Sequence, residues 1–172
     1  MKHIALLSEI NNMEKLLLTK TQTVKVDMLI RKPVEEVFEA FVNPDITTKF
    51  WFTKSSGRLE VGKQITWAWE MYNATALVDV KEIEINKRIL VEWGDLGAMT
   101  KLEWIFTPYG DGFTYVSITN SGFEEDKDAV LAQAIDSTGG FSIVLDGAKV
   151  WLEHSINPNF IEDKFPKDLT EH

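Results

Sequence analysis

The stretch Gly139–His154 constrains this chain more than any other. Phe141, Val144, Leu145, Ala148, Trp151 and Leu152 recur at helical spacing and form one apolar face, while Ser142, Asp146, Lys149 and Glu153 fall opposite. A helix with such a stripe must bury it against another element. The chain ahead of it offers mainly short runs rich in β-branched and aromatic residues, so the expected partner is a sheet. Helix and sheet together are expected to enclose an apolar cavity.

The strand signals support this. Val24, Val26, Met28 and Ile30 alternate with Thr23, Lys25 and Asp27, which predicts a half-buried first strand. Pro33 suits a first helical turn, and Val34, Val37, Phe38, Phe41 and Val42 follow at helical spacing. Asn43-Pro44-Asp45 ends that helix, and Ile46–Trp51 reads as a second short helix or turn. A short strand is expected over Arg58–Val61. Period-two runs follow with Ile65, Trp67, Trp69 and Met71, then Ala76–Ile85, Ile89 to Trp93, Thr100–Thr107 and Phe113–Asn120. Asn73 and Asn86-Lys87 mark tight turns, so the sheet is antiparallel. Glu124–Ile135 reads as a separate short helix, and Ser137-Thr138 as the cap of the closing one. Gly139-Gly140 is expected to be a helix break or start. Gly147 sits mid-helix, where it admits either a close backbone or a ligand.

The expected fold class is α+β: a curved antiparallel sheet of about seven strands wrapped around a long C-terminal helix, with two short helices after strand one. Three segments are expected: a helical extension over 1–20 carrying Ile4, Leu7, Ile10, Leu17 and Leu18, the main domain over 21–156, and a tail over 157–172 packed back through Phe160, Ile161, Phe165 and Leu169. The extension either packs on the domain or binds a partner. The 172 residues suit one such core.

Charge and composition narrow the function. A net charge of −9 repels phosphate backbones, which argues against a nucleic-acid partner. The chain has no cysteine, which removes disulfides, thiolate ligands and a thiol nucleophile, and suits a cytoplasmic location. Met1–Leu18 holds no apolar core of signal-peptide length. No run approaches the roughly 20 apolar residues of a membrane span.

The element order resembles the helix-grip fold of the START and polyketide-cyclase (SRPBCC) superfamily, which includes the birch-pollen allergen. Local residues resemble its branch related to the activator of the heat-shock-protein-90 ATPase. They are Ile30-Arg31-Lys32-Pro33-Val34-Glu35-Glu36-Val37-Phe38-Glu39-Ala40-Phe41, Asn43-Pro44-Asp45 followed by Trp51, and Leu59-Glu60-Val61-Gly62-Lys63. Gly140-Phe141, Val144-Leu145-Asp146 and Trp151-Leu152 complete the likeness, which spans roughly 22–155. The resemblance implies a hydrophobic cavity between sheet and long helix. Members bind lipids, sterols, plant metabolites or polyketides; some cyclise or dehydrate polyketides, and some act on co-chaperone partners.

Six tryptophans and ten phenylalanines supply the candidate site. Trp51, Trp67, Trp69, Met71, Trp93, Trp104, Phe106, Phe141, Leu145 and Ala148 are the expected ligand contacts, with Tyr72 or an indole N–H giving orientation. The competing reading is that these side chains only fill the core. Glu70, Glu92 and Glu103 fall opposite the aromatic faces by period two, and a β-bulge would be needed to turn one of them, or Asp79, inward as a general base. His3, His154 and His172 lack metal-ligand spacing, and no nucleophile elbow or phosphate loop is present. No catalytic residue, metal or cofactor is therefore expected. The leading expectation is a non-catalytic binder of a small apolar or amphipathic molecule. The alternatives are a protein-interaction module in the manner of the chaperone activator, and an enzyme of the cyclase or dehydratase type.

Overall fold

Thr23–Ile30 forms β1, the first strand in the computed structural model, which describes residues 23–123, 127–167 and 169, with backbone alone at 127 and 128. The helix expected over 1–20 and the helix start expected at Glu124 lie outside the described residues. Two short helices follow β1: α1 (Val34–Val42) and α2 (Pro44–Thr47). Asn43 turns the chain between them, its side-chain oxygen accepting from the Asp45 N–H at 3.1 Å. The remaining strands are β2 (Lys54–Ser55), β3 (Gln64–Trp69), β4 (Ala74–Glu84), β5 (Arg88–Asp95), β6 (Ala98–Tyr109) and β7 (Phe113–Ser121). The chain then enters α3 (Lys127–His154) and ends its described part with α4 (Phe160–Lys164).

All seven strands form one antiparallel sheet in the order β1-β7-β6-β5-β4-β3-β2. β2 to β7 run as a meander and β1 returns beside β7, so the sheet is curled but unclosed. The fold is α+β, as the spacing predicts. Alternation sets the buried face: Leu102, Trp104 and Phe106 on β6, Val116 and Ile118 on β7, Ile89 and Val91 on β5. Phe38 and Phe41 of α1 and Val144, Leu145 and Ala148 of α3 join the same core.

Four local expectations are corrected. The Gly139-Gly140 pair does not break the helix; α3 runs through it from Lys127 to His154. Each glycine costs about 1 kcal/mol against alanine, but burial of Val130 before the pair and of Phe141, Val144 and Leu145 after it holds both halves to the domain. Ser137-Thr138 is accordingly not a cap: the Thr138 hydroxyl donates back to the Ala134 carbonyl at 2.7 Å. Arg58–Val61 is not a strand. Leu59 instead donates its N–H to the Val42 carbonyl at 3.1 Å, and Arg58 grips Glu39 through two bonds of 2.6 and 2.7 Å, which ties the segment to α1. Met71 is not in β3 but in the single 3₁₀ turn Glu70–Tyr72.

A β-bulge does occur, at Lys81, where the β4–β5 register shifts between Val80 and Glu82. Ala76, Val78 and Val80 face the core before it and Ile83 packs on the core after it. The bulge resets the alternation and leaves Glu82 and Glu84 exposed.

The polar face of α3 is also used. Lys149 donates to the Leu29 carbonyl at 2.9 Å and to Glu153 at 2.5 Å, and the Arg31 N–H donates to Glu153 at 2.7 Å. This clamp fixes the end of α3 to the end of β1.

Candidate functional site

The buried rows of the sheet do not fill all the space beneath α3. At one end of the sheet, where β3, β5 and β7 finish and β4 and β6 begin, a cavity of about 570 Å³ opens between sheet and helix. That size falls within the range of small-molecule sites. Trp69, Ala74, Trp93, Thr100 and Asn120 form its sheet wall. Ser137, Gly140, Phe141 and Val144 form its helix wall. A methyl group built on Gly140 would meet no atom within 4 Å, so the glycine leaves the helix wall hollow there.

Trp51 is the floor. Its ring lies 4.7 Å from that of Trp67, 6.0 Å from Phe141 and 6.3 Å from Trp93, centroid to centroid. Trp93 and Phe141 meet at 5.6 Å with an interplanar angle of 62°. Such tilted and edge-to-face contacts are the preferred aromatic geometry. The indole nitrogens of Trp93 and Trp104 are buried without an acceptor in the protein.

One end of the cavity is polar. Asn120 is 2% exposed and occupies an inward position of β7, in phase with Val116 and Ile118. Its amide nitrogen donates to the Thr100 hydroxyl at 2.9 Å and to the Lys101 carbonyl at 2.9 Å. Its amide oxygen accepts from the Ser137 hydroxyl at 2.9 Å. The three side chains thereby join β6, β7 and α3. Gln133 and Asp136 add polarity along the helix wall. Among the described residues no lysine, arginine or histidine lines the cavity.

The third wall comes from the tail. Ile161 and Phe165 line the cavity, and the Tyr72 hydroxyl donates to their carbonyls at 3.2 and 2.8 Å. Burial, followed by the charge of Glu162, raises the pKa of Tyr72, which keeps the phenol a donor.

The expected contacts separate into two groups. Trp51, Trp69, Trp93 and Phe141 line the cavity. Trp67, Trp104, Phe106, Leu145 and Ala148 do not; they lie in the packed core, each at most 3% exposed. Facing inward is not enough, because the cavity occupies one end of the inward rows and these five sit nearer the middle. Met71 lines a separate depression of about 80 Å³ beside Thr48 and Phe160. The polar wall of Thr100, Asn120 and Ser137 was not among the expected contacts. Its one sequence signal is an asparagine in phase with Val116 and Ile118 on an inward strand row.

None of the four carboxylates weighed as a general base lines the cavity. Glu92 pairs with Lys81 at 3.0 Å, Glu103 with Arg88 at 2.6 Å, and Asp79 accepts from Gln64 at 2.8 Å, while Glu70 is exposed. Among the described residues no group of three or more His, Cys, Asp or Glu side chains is placed to hold a metal ion. Among the same residues no helix is long and apolar enough to cross a membrane.

Comparison with known proteins adds the following. A family model described as Activator of Hsp90 ATPase homolog 1-like protein matches residues 31–149. The crystal structure of protein SSP2350 from Staphylococcus saprophyticus is 32% identical, covers 79% of this chain and 95% of its own, and superposes with a TM-score of 0.68. The solution structure of the Aha1 dimer from Colwellia psychrerythraea is 20% identical over 77% of this chain and 97% of its own, with a TM-score of 0.66. The crystal structure of CalU16 from Micromonospora echinospora is 17% identical over 83% and 81%, with a TM-score of 0.64. The last two likenesses are likenesses of fold. No curated protein matches the sequence.

Proposed function

This chain belongs to the Activator of Hsp90 ATPase homolog 1-like family, and from that premise we propose that it binds a small apolar or amphipathic molecule in the cavity between sheet and helix, without transforming it. The observation that carries this reading is the cavity itself: about 570 Å³, walled by Trp51, Trp69, Trp93 and Phe141, with hydrogen-bonding groups gathered at one end. Removing apolar surface from water in such a space contributes about 25 cal/mol per Å². A flat or branched apolar body would lie against the rings, and its polar end would meet the Thr100–Asn120–Ser137 cluster.

The non-catalytic part of the reading follows from where the carboxylates lie: among the described residues the one carboxylate that lines the cavity, Asp136, is exposed to solvent. The four weighed as bases are on the outer side of the sheet or in the 3₁₀ turn, paired or solvated, and a general base must reach its proton within hydrogen-bond distance. We also place the domain at 21–156, with the tail as its third wall, and the location in the cytoplasm, where a chain without cysteine needs no oxidising surroundings.

The test is intrinsic tryptophan fluorescence during titration with a panel of alcohols, fatty acids, sterols and aromatic ketones. Trp51, Trp69 and Trp93 all line the cavity, so occupation is expected to change the emission saturably. A flat response across the panel overturns the reading. A saturable response to co-chaperone or other protein partners alone would move the function to the surface.

A further inference from the structure

We propose that the Thr100–Asn120–Ser137 cluster is a subsite for one uncharged hydroxyl or carbonyl oxygen, so that the cavity selects neutral alcohols and ketones over carboxylates; this rests on the ligand-binding reading above.

Proton accounting at the cluster fixes what it offers. The Lys101 carbonyl can only accept, so the side of Asn120 that meets it at 2.9 Å carries the nitrogen. The two N–H groups of Asn120 are then both engaged, one on Lys101 and one on the Thr100 hydroxyl oxygen. The Asn120 oxygen can only accept, so Ser137 gives its hydroxyl hydrogen there. Two groups are left over on the cavity wall. Thr100 accepts from Asn120, and among the described residues its own hydrogen has no acceptor. Ser137 has donated its hydrogen, and among the described residues no donor reaches its oxygen lone pairs. Asn120, itself 2% exposed, holds the two hydroxyls in these complementary states.

One donor beside one acceptor matches a hydroxyl, which needs both, or a carbonyl, which needs the donor. It does not match a carboxylate. That group spreads its charge over two oxygens and needs several donors or a cation when removed from water. No lysine, arginine or histidine among the described residues lines the cavity, and Asp136 on the helix wall adds a like charge. The net charge of −9 acts in the same direction at longer range.

The test uses naphthalene, 2-naphthol and 2-naphthoate, one ring system with three heads, titrated calorimetrically at pH 7 against the full chain and against Thr100→Val. Valine keeps the shape of threonine at this partly exposed position and removes both the free donor and the acceptor of one Asn120 N–H, which is left facing a methyl group, so the variant is expected to fold with lowered stability. 2-Naphthol is expected to bind ~3- to 10-fold tighter than naphthalene, as one added hydrogen bond gives, and at least about tenfold tighter than 2-naphthoate. Thr100→Val is expected to remove the advantage over naphthalene and leave naphthalene itself unchanged. Equal or tighter binding of 2-naphthoate overturns the proposal. So does 2-naphthol binding no better than naphthalene, or an advantage that survives Thr100→Val, while naphthalene binding in either case leaves the cavity reading intact. Failure of all three probes takes down the ligand-binding reading and the subsite with it.

Discussion

A Cβ built on Gly147 would stand 3.1 Å from the carbonyl oxygen of Phe50 and 3.2 Å from its Cβ. The two residues touch because α3 crosses directly over the turn that follows α2. Phe50 is 4% exposed and wedged edge-to-face on Phe41 at 5.6 Å, so it has no room to retreat. Gly147→Ala gains helix propensity of up to about 1 kcal/mol but overpacks a rigid contact, which costs about 1–3 kcal/mol. It is expected to lower stability by about 1 kcal/mol. Gly140→Ala meets open space and is expected to raise it by about 0.5–1 kcal/mol. Urea unfolding of both variants checks the pair; the same sign for both would contradict the assignment of one glycine to packing and the other to the cavity.

Gly140 also allows a direct test of where the ligand sits. Gly140→Leu projects a branched side chain from the helix wall into the open space between Phe141 and the sheet. The protein is expected to stay folded, since the added group meets a void rather than packed atoms, and naphthalene affinity is expected to fall at least about tenfold as the apolar volume is lost. Unchanged affinity in a folded Gly140→Leu variant, by calorimetry, would place binding elsewhere.

Glu153 ties pH to stability. Burial raises its pKa, but hydrogen bonds from Lys149 and from the Arg31 N–H, with the charges of both, outweigh burial and the net pKa lies below the usual carboxylate value. A depressed folded pKa means the clamp's contribution is fully present above the unfolded value, near 4.3, and is lost as pH falls through the folded one. Glu39, lowered chiefly by Arg58 and held by Asn43 as well, acts in the same window, weakened by solvent because its side chain is 38% exposed. Glu153→Gln is expected to cost about 1–2 kcal/mol at pH 7 and to flatten the loss of stability below about pH 4.5. Parallel pH–stability curves for the two proteins would refute the linkage.

What the sequence made legible follows from how far each signal reaches. Alternation is local, so Trp104 and Phe106 were readable as inward, and the stripe Phe141–Leu152 as the face that meets the sheet. The same alternation carries no information on position along a strand. Trp93 stands opposite Thr100 and Leu102 opposite Asn120 only because of the register of β5, β6 and β7, and that register places Trp93 at the cavity and Trp104 in the core. Gly139-Gly140 was misread because glycine propensity is a local term, whereas the continuity of α3 is supplied by packing on both sides of the pair. The Thr100–Asn120–Ser137 cluster joins three elements distant in the chain, and the polarity of Asn120 beside Val116 and Ile118 is the one local trace of it.

Tyr72 holds the tail against the cavity. Its hydroxyl reaches the carbonyls of Ile161 and Phe165, one near the start of α4 and one just past its end. Burial first, then Glu162, raises its pKa, so the latch is intact below the unfolded phenol value near 10 and is lost only as pH rises through the higher folded one. α4 is short and its first residue partly exposed, so local opening there is governed by few contacts. Tyr72→Phe keeps the ring and removes the donor. It is expected to speed hydrogen exchange at the Asp163 and Phe165 amides, which donate to Asn159 and Ile161, by ~3- to 10-fold, the equivalent of one net hydrogen bond. Amides in the centre of β6 and β7 are expected to exchange at unchanged rates. Unaltered exchange at Asp163 and Phe165 would show that apolar contact of Ile161 and Phe165, and not the phenol, keeps the third wall in place.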